Sequence, residues 1–474
     1  MALVIAITLA ALAVNGGTLP VTAPLIATLV SALAFLLVLA ARRRGEILWF
    51  EIGLVYAAIV TLYATYPLAG FLILRHTYTT GNDLRLQQMA PDAAAVGRIG
   101  WLYVAHLLAF MASYVVVRGR LPLRMSRPQS PALSVGLAAL AFYVAIQGFW
   151  IVLGWFYDTT AESYIESYLV ARRLPLFLAQ VLGHLNGAQY PLAIALLVLL
   201  FTRYPGSRPI LVAWVIVTAA VTAMRLGSRT EFALFVFAAT VIYHSLVRRI
   251  SVRVMTVGAV AGLALFVAFG VVRAGGAGSG SDAWYVLPFS QSSDFEVLFA
   301  NAMHLDRVVT ANVPLALPDG FSLGDVAALL PQQIAPYAKV DLAAWYVSTF
   351  FPEYAAAGGG LAFGVIAESV ITGGWLSALI RGALLGLLFA GIHRYYVRHA
   401  HRFWVFVFYV WVTTLSYQAF RATTLYLLVP FVYRFVVVML IVKVAATMLD
   451  RATRSPKGRY GRADPVSLPE STVR

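Results

Sequence analysis

Long apolar runs separated by short polar turns make up most of the chain, and this pattern predicts membrane-spanning helices. A spanning helix needs about 20 consecutive, mostly apolar residues. About twelve runs approach that length: 2–17, 20–41, 48–74, 100–117, 131–155, 176–201, 209–226, 231–247, 254–272, 373–393, 403–420 and 424–447. The strands of a membrane barrel are instead about ten residues long and alternate in polarity. The pattern therefore predicts an all-α, polytopic integral membrane protein with about 12 transmembrane helices.

A long polar interval interrupts the apolar runs and divides the chain. The predicted divisions are nine spans in 1–273, the interval itself at 274–372, three spans in 373–447, and a tail at 448–474. A connection of about 100 residues is too long for a passive turn, and loops of such length commonly carry function. The apolar spacing of residues 293–310 predicts an amphipathic helix, so we expect a large, partly helical loop.

Composition agrees with a membrane protein and excludes some chemistry. Hydrophobic residues make up 61% of the 474 residues, charged residues make up 12%, and the mean hydropathy is +0.81. A soluble domain is nearer one half apolar. The chain has no cysteine, which excludes disulfides and thiolate-bound metals. Since no Gly-rich phosphate loop and no HExxH motif occur, we expect no cofactor and no metal site.

The net charge of +15 reports topology rather than nucleic-acid binding, because the basic residues lie in alternate loops. These loops read RRRGE, RGRLPLRMSR, TRYPGSR, VRRISVR and HRYYVRHAHR, and the tail from residue 448 joins them. Together they hold most of the 35 Lys and Arg residues but few of the 20 acids. Cytoplasmic loops carry such an excess. We therefore expect both chain ends in the cytoplasm, a disordered tail, and the 274–372 loop on the outer face.

Arginines recur on the predicted outer face, where the charge rule for loops does not require them. They are Arg172, Arg173, Arg225, Arg229, Arg307, Arg381 and Arg421. Arg434 lies deeper, roughly 15 Å into the last predicted span at 1.5 Å per residue. Charges at such positions are costly unless they are paired, hydrated or functional. Because guanidinium binds phosphate through paired hydrogen bonds, the cluster predicts an anionic, membrane-embedded ligand. The alternative is that each arginine snorkels to headgroups or pairs with an acid.

Three stretches resemble the bacterial oligosaccharide repeat-unit polymerases of O-antigen and capsule and, more distantly, the O-antigen ligases. They are RLGSRTEFALFVFAATVIY, LLPQQIAPYAKVD and GGGLAFGVIAESVITGGWLSALIRGALLGLL. The first resembles a Gly-Ser-Arg at the outer start of a central span, and the second resembles a stretch with proline and lysine late in the large loop. The third resembles a Gly-rich segment with one Glu that leads into the next span. The resemblance covers residues from about 130 to 440.

The resemblance implies a GT-C-like glycosyltransferase of the bacterial inner membrane with an active site that faces the periplasm. It would polymerise undecaprenyl-diphosphate-linked repeat units into O-antigen, capsule or exopolysaccharide without a nucleotide sugar. The partners expected are the lipid-linked oligosaccharide, membrane lipids, a chain-length regulator and a flippase, but no nucleic acid. The alternatives are an O-antigen ligase and a lipid or glycan transporter. Ligases typically carry a histidine where the large loop returns to the membrane, whereas this chain has Glu368 there.

The expected reaction needs positive groups for a leaving diphosphate. Arg225 and Arg229 are the first candidates, because residues four apart share one face of a helix. The further candidate substrate-binding residues are Arg172, Arg173, Arg307, Arg421 and Arg434.

The same reaction needs a general base for the acceptor hydroxyl, and the catalytic candidates are Glu368 and His304. Glu368 lies in an apolar, Gly-rich stretch, where burial raises the pKa of a carboxyl group. The competing interpretation is a carboxylate at a helix N-terminus. His304 lies on the predicted helix 293–310, and the alternative for it is a solvated helix face.

Overall fold

The structure is a computed structural model, and it describes twelve ranges of the chain together with residue 209. The ranges are 19–42, 49–73, 93–119, 127–157, 174–203, 229–251, 253–258, 260–262, 293–321, 324–330, 341–356 and 360–453. Within these ranges every regular element is a helix, as the hydropathy pattern predicts. The predicted spans 2–17 and 209–226 and the tail lie outside the described residues, apart from the isolated residue 209 and the start of the tail.

The helices are numbered here in chain order. They are α1 Leu19–Arg42, α2 Ile52–Ile73, α3 Ala93–Arg118, α4 Leu133–Phe156, α5 Leu176–Arg203, α6 Arg229–Leu246, α7 Ser293–Thr310, α8 Gly324–Ala327, α9 Leu342–Phe350, α10 Pro352–Ala356, α11 Val365–Thr372, α12 Gly374–His399, α13 Phe403–Leu415, α14 Gln418–Arg421 and α15 Val437–Thr453. A π-helix, Pro430–Val436, leads directly into α15.

Seven helices in the described part of the chain are long and apolar enough to cross a membrane. They are α1 to α4, the Gly183–Arg203 part of α5, α12, and the continuous helix Pro430–Thr453. Each overlaps a predicted span. The chain is therefore an all-α, multi-pass membrane protein, and the larger number of about twelve spans stays a prediction.

Small residues bring α12 against α3 at the centre of the bundle. A Cβ added to Gly382 would overlap the carbonyl oxygen of His106, and one added to Gly386 would overlap Ser113. Gly382 and Gly386 are four residues apart, so they share one face of α12 and let two backbones approach closely. Arg394 farther along α12 donates to the carbonyl of Val117 at 3.0 Å, so α3 and α12 run in the same direction.

The neighbouring helices fix the two ends of this bundle. Gly97 near the start of α3 lies against Pro20 at the start of α1, and Arg42 at the end of α1 donates to the carbonyl of Val115. Helices α1, α3 and α12 are therefore parallel, as the predicted alternation of spans requires. The ends at which these three helices begin are called the starting end here.

A buried ion pair joins helices at the opposite end. Arg118 donates to both carboxylate oxygens of Glu51, and its Nη2 lies 3.0 Å from Oε2. Tyr114 donates to the same carboxylate at 2.9 Å, and His393 lies 3.6 Å from it. Breaking such a buried pair leaves an uncompensated charge, so this cluster ties α3 and α12 to the residue that precedes α2.

The loop between the predicted spans nine and ten is partly helical where the structure describes it. The predicted amphipathic helix 293–310 is confirmed as α7, with Leu298 and Phe299 on its buried face. Asp306 on α7 pairs with Arg98 of α3 at 2.8 Å. The loop helices therefore lie at the starting end of the bundle, next to the N-terminus of α12.

Candidate functional site

A cavity of about 380 Å³ lies where α11 meets α12 at the starting end of the bundle. Its wall combines acidic, basic, hydroxyl and aliphatic side chains. The lining residues are Asp325, Glu368, Thr372, Gly373, Leu376, Ser377, Ile380, Arg381, Leu384, Thr424 and Leu425. Gly373 and Gly374 both have positive φ, at 136° and 57°. Glycine adopts such a backbone without a steric penalty, so the two glycines allow the turn that places α11 over the first turns of α12.

Glu368 and Arg381 form the charged centre of the cavity. Nη1 of Arg381 lies 2.7 Å from Oε1 of Glu368. Glu368 is buried, and 17% of the Arg381 side chain is exposed. The pair is thus shielded from bulk water but open on the cavity side, where electrostatic interactions are stronger than at a solvated surface.

Three hydroxyl groups hold the Arg381 guanidinium in place. Nε donates to Ser377 at 2.9 Å, Nη1 donates to Thr424 at 2.6 Å, and Nη2 donates to Thr372 at 3.3 Å. Ser377 lies four residues before Arg381 on α12, so the two side chains share a helix face. A guanidinium with its plane fixed in this way is preorganised for an oxyanion that arrives from the cavity.

The turn 423–425 brings a second carboxylate to the same cavity. Oε2 of Glu368 accepts from the amide of Thr424 at 3.0 Å and from its hydroxyl at 2.8 Å. Asp325 on the short helix α8 accepts from the Thr423 hydroxyl at 2.6 Å and from the amide of Leu425 at 3.1 Å. Three consecutive residues therefore position two acids that lie 43 residues apart in sequence.

Burial raises the pKa of both carboxyl groups above the ordinary values. The pKa of Glu368 is raised by desolvation, which outweighs the opposing effects of Arg381 and of the hydrogen bonds from Thr424. Desolvation likewise raises the pKa of Asp325 against the hydrogen bonds from Thr423 and Leu425. Carboxylates with raised pKa values are suited to proton transfer near neutral pH.

One wall of the cavity is apolar and lies on the outside of the bundle. Leu376, Ile380 and Leu384 are spaced by four residues on α12, and they are 66%, 59% and 42% exposed. In a membrane-spanning helix such residues face lipid. The cavity thus offers a cation and hydroxyl groups beside a lipid-facing stripe, and this combination suits an amphiphile with an anionic headgroup.

Among the sequence candidates, Glu368 lies in the cavity and His304 lies elsewhere. Glu368 is in the first turn of α11, so both interpretations of this residue, a helix-start carboxylate and a site carboxylate, describe its position. His304 on α7 contacts Tyr346 of α9, with Nδ1 at 2.9 Å from the hydroxyl oxygen. Its ring also packs against Phe350. His304 is therefore part of the packing within the loop, and it is not among the residues that line the cavity.

The described candidate arginines are also spread over separate places. Arg307 is half-buried on α7, and Arg421 ends α14 just before the turn 423–425. Arg434 lies on the π-helix, and its guanidinium packs over Gly187 of α5. Its Nε is buried without an acceptor among the described residues. Single π-helical turns occur frequently at functional sites, but the structure keeps Arg434 outside the cavity wall.

The structure gives no side-chain position for the remaining arginine candidates. Arg172, Arg173 and Arg225 are outside the described residues, and Arg229 begins α6 with a side chain that is not described. Their predicted roles in diphosphate binding stay predictions.

Sequence reasoning did not identify two of the charged groups in the cavity. The sequence pattern places Arg381 among the outer arginines without a separate role, and it does not distinguish Asp325 from the other acids of the loop. The signal for Arg381 is its spacing from Ser377 and its position about two helical turns beyond the Gly-Gly pair. Asp325 lies in a polar loop segment, and only the fold brings it to residues 423–425.

Comparison with known proteins identifies one family whose model matches most of the chain, including the cavity. A family model described as O-antigen polysaccharide polymerase Wzy matches residues 136–451, which is more than half of the chain. No curated protein and no solved structure matches the chain. The matched range contains the whole lining of the cavity.

Proposed function

The chain belongs to the O-antigen polysaccharide polymerase Wzy family, and we propose that the cavity beside Glu368 and Arg381 is where it joins repeat units. A member of this family has a polymerising, glycosyltransferase-type activity on lipid-linked oligosaccharides in membranes. The finer proposal is that the donor is linked to undecaprenyl diphosphate and that the cavity faces the periplasm. The observation that supports an anionic, lipid-linked donor in this cavity is the fixed Arg381 guanidinium next to a lipid-facing apolar stripe.

The chemistry divides between a leaving group and an acceptor. A growing glycan leaves its lipid diphosphate and is transferred to a sugar hydroxyl of an incoming lipid-linked repeat unit. Negative charge develops on the departing diphosphate, and a preorganised guanidinium lowers that cost. The described partners of Arg381 occupy four of its five N–H groups, so one N–H of Nη2 is available to a phosphate oxygen.

Glu368 has a defined place in this proposal. It neutralises Arg381 while no substrate is bound, and with Thr424 it fixes the plane of the guanidinium. The general base is one of the carboxylates in the cavity, and Glu368 remains the candidate that the sequence predicts. His304 would act in the same reaction only if a substrate sugar extends over α7.

The other arginines are proposed contacts for the two lipid diphosphates. Arg225 and Arg229 remain the first sequence candidates for the leaving diphosphate, together with Arg381, and Arg172 and Arg173 are the candidates for the second one. Arg421 is a further phosphate candidate, and Arg307 and Arg434 are proposed to contact the glycan or its lipid carrier outside the cavity. A chain-length regulator and a flippase are the expected protein partners in the same inner membrane.

A deletion strain tests the function against its two alternatives. Loss of a polymerase should leave glycan chains of a single repeat unit, because transfer to the final acceptor continues. Loss of a ligase would instead leave long chains on their lipid carrier, and loss of a transporter would leave unpolymerised lipid-linked units on the cytoplasmic side. Gel separation of the glycans and extraction of the lipid-linked pool distinguish these outcomes, and either of the last two would refute the proposal.

A further inference from the structure

The two carboxylates of the cavity differ in how many of their lone pairs are occupied by described contacts. Both oxygens of Glu368 are engaged: Oε2 accepts two hydrogen bonds from Thr424, and Oε1 forms the ion pair with Arg381. These three contacts occupy three of the four lone-pair sites of the carboxylate, and the ion pair with Arg381 would have to break or shift before Glu368 could take up a proton from a substrate. Glu368 is therefore better placed to orient Arg381 than to remove a proton.

Asp325 keeps an open lone pair on each oxygen. Oδ1 accepts from the hydroxyl of Thr423 and Oδ2 accepts from the amide of Leu425, which leaves each oxygen with one described donor. A carboxylate oxygen has capacity for two. Asp325 also lines the cavity and is half-buried.

We propose that Asp325 is the general base that removes the proton from the acceptor sugar hydroxyl. This inference rests on the proposed function, since it assigns a role within the same cavity. The O–H bond of the acceptor breaks as its proton passes to Asp325, and the hydroxyl oxygen forms the new bond to the anomeric carbon of the donor. The bond between that carbon and the phosphate oxygen breaks, and the lipid diphosphate leaves with the electron pair beside Arg381. The proton then passes from Asp325 to water.

The charged groups around Asp325 are consistent with its role as general base and with the role of Arg381 in binding the leaving diphosphate. Arg381 acts on Asp325 as a nearby cation, and Glu368 and Asp341 act as nearby anions. None of them forms an ion pair with Asp325 within the described residues. Burial therefore raises the pKa of Asp325, and no ion pair within the described residues holds its carboxylate in the charged form.

The test compares Asp325→Asn with wild type in two separate assays. Asparagine preserves both local contacts, because its oxygen accepts from Leu425 and its amide donates to the Thr423 hydroxyl. Chain growth is measured with purified full-length protein and the lipid-linked repeat units extracted from the deletion strain. Binding is measured with undecaprenyl diphosphate as the probe. We expect the growth rate to fall about 100- to 10,000-fold, while the dissociation constant of undecaprenyl diphosphate stays within about twofold.

Two control variants separate a catalytic role from a positioning role. Asp319→Asn changes an exposed acid of the same loop and should leave both measurements unchanged. Thr423→Val removes one donor to Asp325 but keeps the carboxylate, so growth should remain within about tenfold of wild type. Growth in Asp325→Asn within threefold of wild type, or equal losses in Asp325→Asn and Thr423→Val, would overturn the assignment. If Asp325→Asn does not accumulate in the membrane, the size-matched variants Asp325→Glu and Asp325→Gln are compared instead. Equal growth rates in these two variants would overturn the assignment of Asp325 as the base.

The variant Arg381→Ala tests the proposed function separately from the assignment of the base. Loss of growth and binding in Arg381→Ala, with normal growth in Asp325→Asn, would refute the base alone. Normal growth and binding in both variants would refute the cavity as the polymerisation site.

Discussion

At the scale of single residues, the pairing of Glu368 with Arg381 decides how the cavity responds to an anion. A diphosphate that reaches Arg381 must compete with the carboxylate that already neutralises it. Anion binding therefore competes with the internal ion pair. The Thr424 hydroxyl contacts both members of that pair, because it donates to Glu368 and accepts from Arg381.

The variant Glu368→Gln should uncouple binding from turnover. Without the carboxylate, Arg381 has no internal counterion, so undecaprenyl diphosphate should bind several-fold more tightly. The rate of chain growth should fall at least about tenfold, because a neutral glutamine holds the guanidinium less firmly than the ion pair does. Titration of purified protein and a growth assay measure the two effects. A loss of rate with unchanged binding would instead support Glu368 as the base.

The raised pKa values of Glu368 and Asp325 predict the pH dependence. The active site needs ionised carboxylates, so activity should fall as pH decreases, with a midpoint above the value of about 4 that is ordinary for these groups. Stability should respond with the opposite sign. A carboxyl group whose pKa is raised in the folded state contributes stability that is present at low pH and is lost as pH rises through that pKa. Rates and melting temperatures measured across the same pH range check both signs, and a parallel loss of both on acidification would contradict this account.

At the scale of elements, the contact between α3 and α12 depends on glycine. Substituting Gly382 by alanine would drive a methyl group into the carbonyl of His106. Overpacking of this kind costs about 1–3 kcal/mol, so the melting temperature in detergent should fall. Gly391→Ala on the same helix is the matched control, because a Cβ there meets nothing within 4 Å. Equal melting temperatures for the two variants would show that the helices do not pack through Gly382.

The sequence predicted elements better than it predicted their contacts. Apolar runs of about 20 residues are a strong signal because the bilayer requires them, and the amphipathic spacing of 293–310 identified α7 at its observed bounds. The cavity was harder to predict. Glu368 stood out as an acid in a Gly-rich apolar segment, but Asp325 and Thr424 reach it from segments 43 and 56 residues away. A linear pattern carries no information on such long-range pairing, and the buried partnership of Glu51 with Arg118 was missed for the same reason.

At the scale of the whole molecule, the helix directions and the placement of charge describe one oriented bundle. The starting end of α1, α3 and α12 carries the loop helices and the cavity, and the opposite end carries the buried Glu51–Arg118 pair and the basic turn after α12. If the basic turns are cytoplasmic, the cavity opens toward the periplasm.

Reporter fusions test this orientation directly. An alkaline phosphatase fused after Gly320, in the exposed part of the loop, should be active because that enzyme needs the periplasm. The same reporter fused after Ala400, in the turn that follows α12, should be inactive. Activity at Ala400 without activity at Gly320 would invert the bundle and place the cavity on the cytoplasmic face.

The central claim is that Arg381 binds the lipid diphosphate during polymerisation, and glycan chain length in the deletion strain measures it most directly. The strain is complemented at matched protein levels with Arg381→Ala, with Arg381→Lys, and with Arg398→Ala as a control on the exposed far end of α12. Removing one such contact costs about 2.7–4 kcal/mol in the transition state, or roughly 100- to 1000-fold in rate. Lysine keeps the charge but loses the planar fork. The account predicts single-repeat glycans with alanine, strongly shortened chains with lysine and a full ladder with Arg398→Ala. A full-length ladder with Arg381→Ala would contradict it.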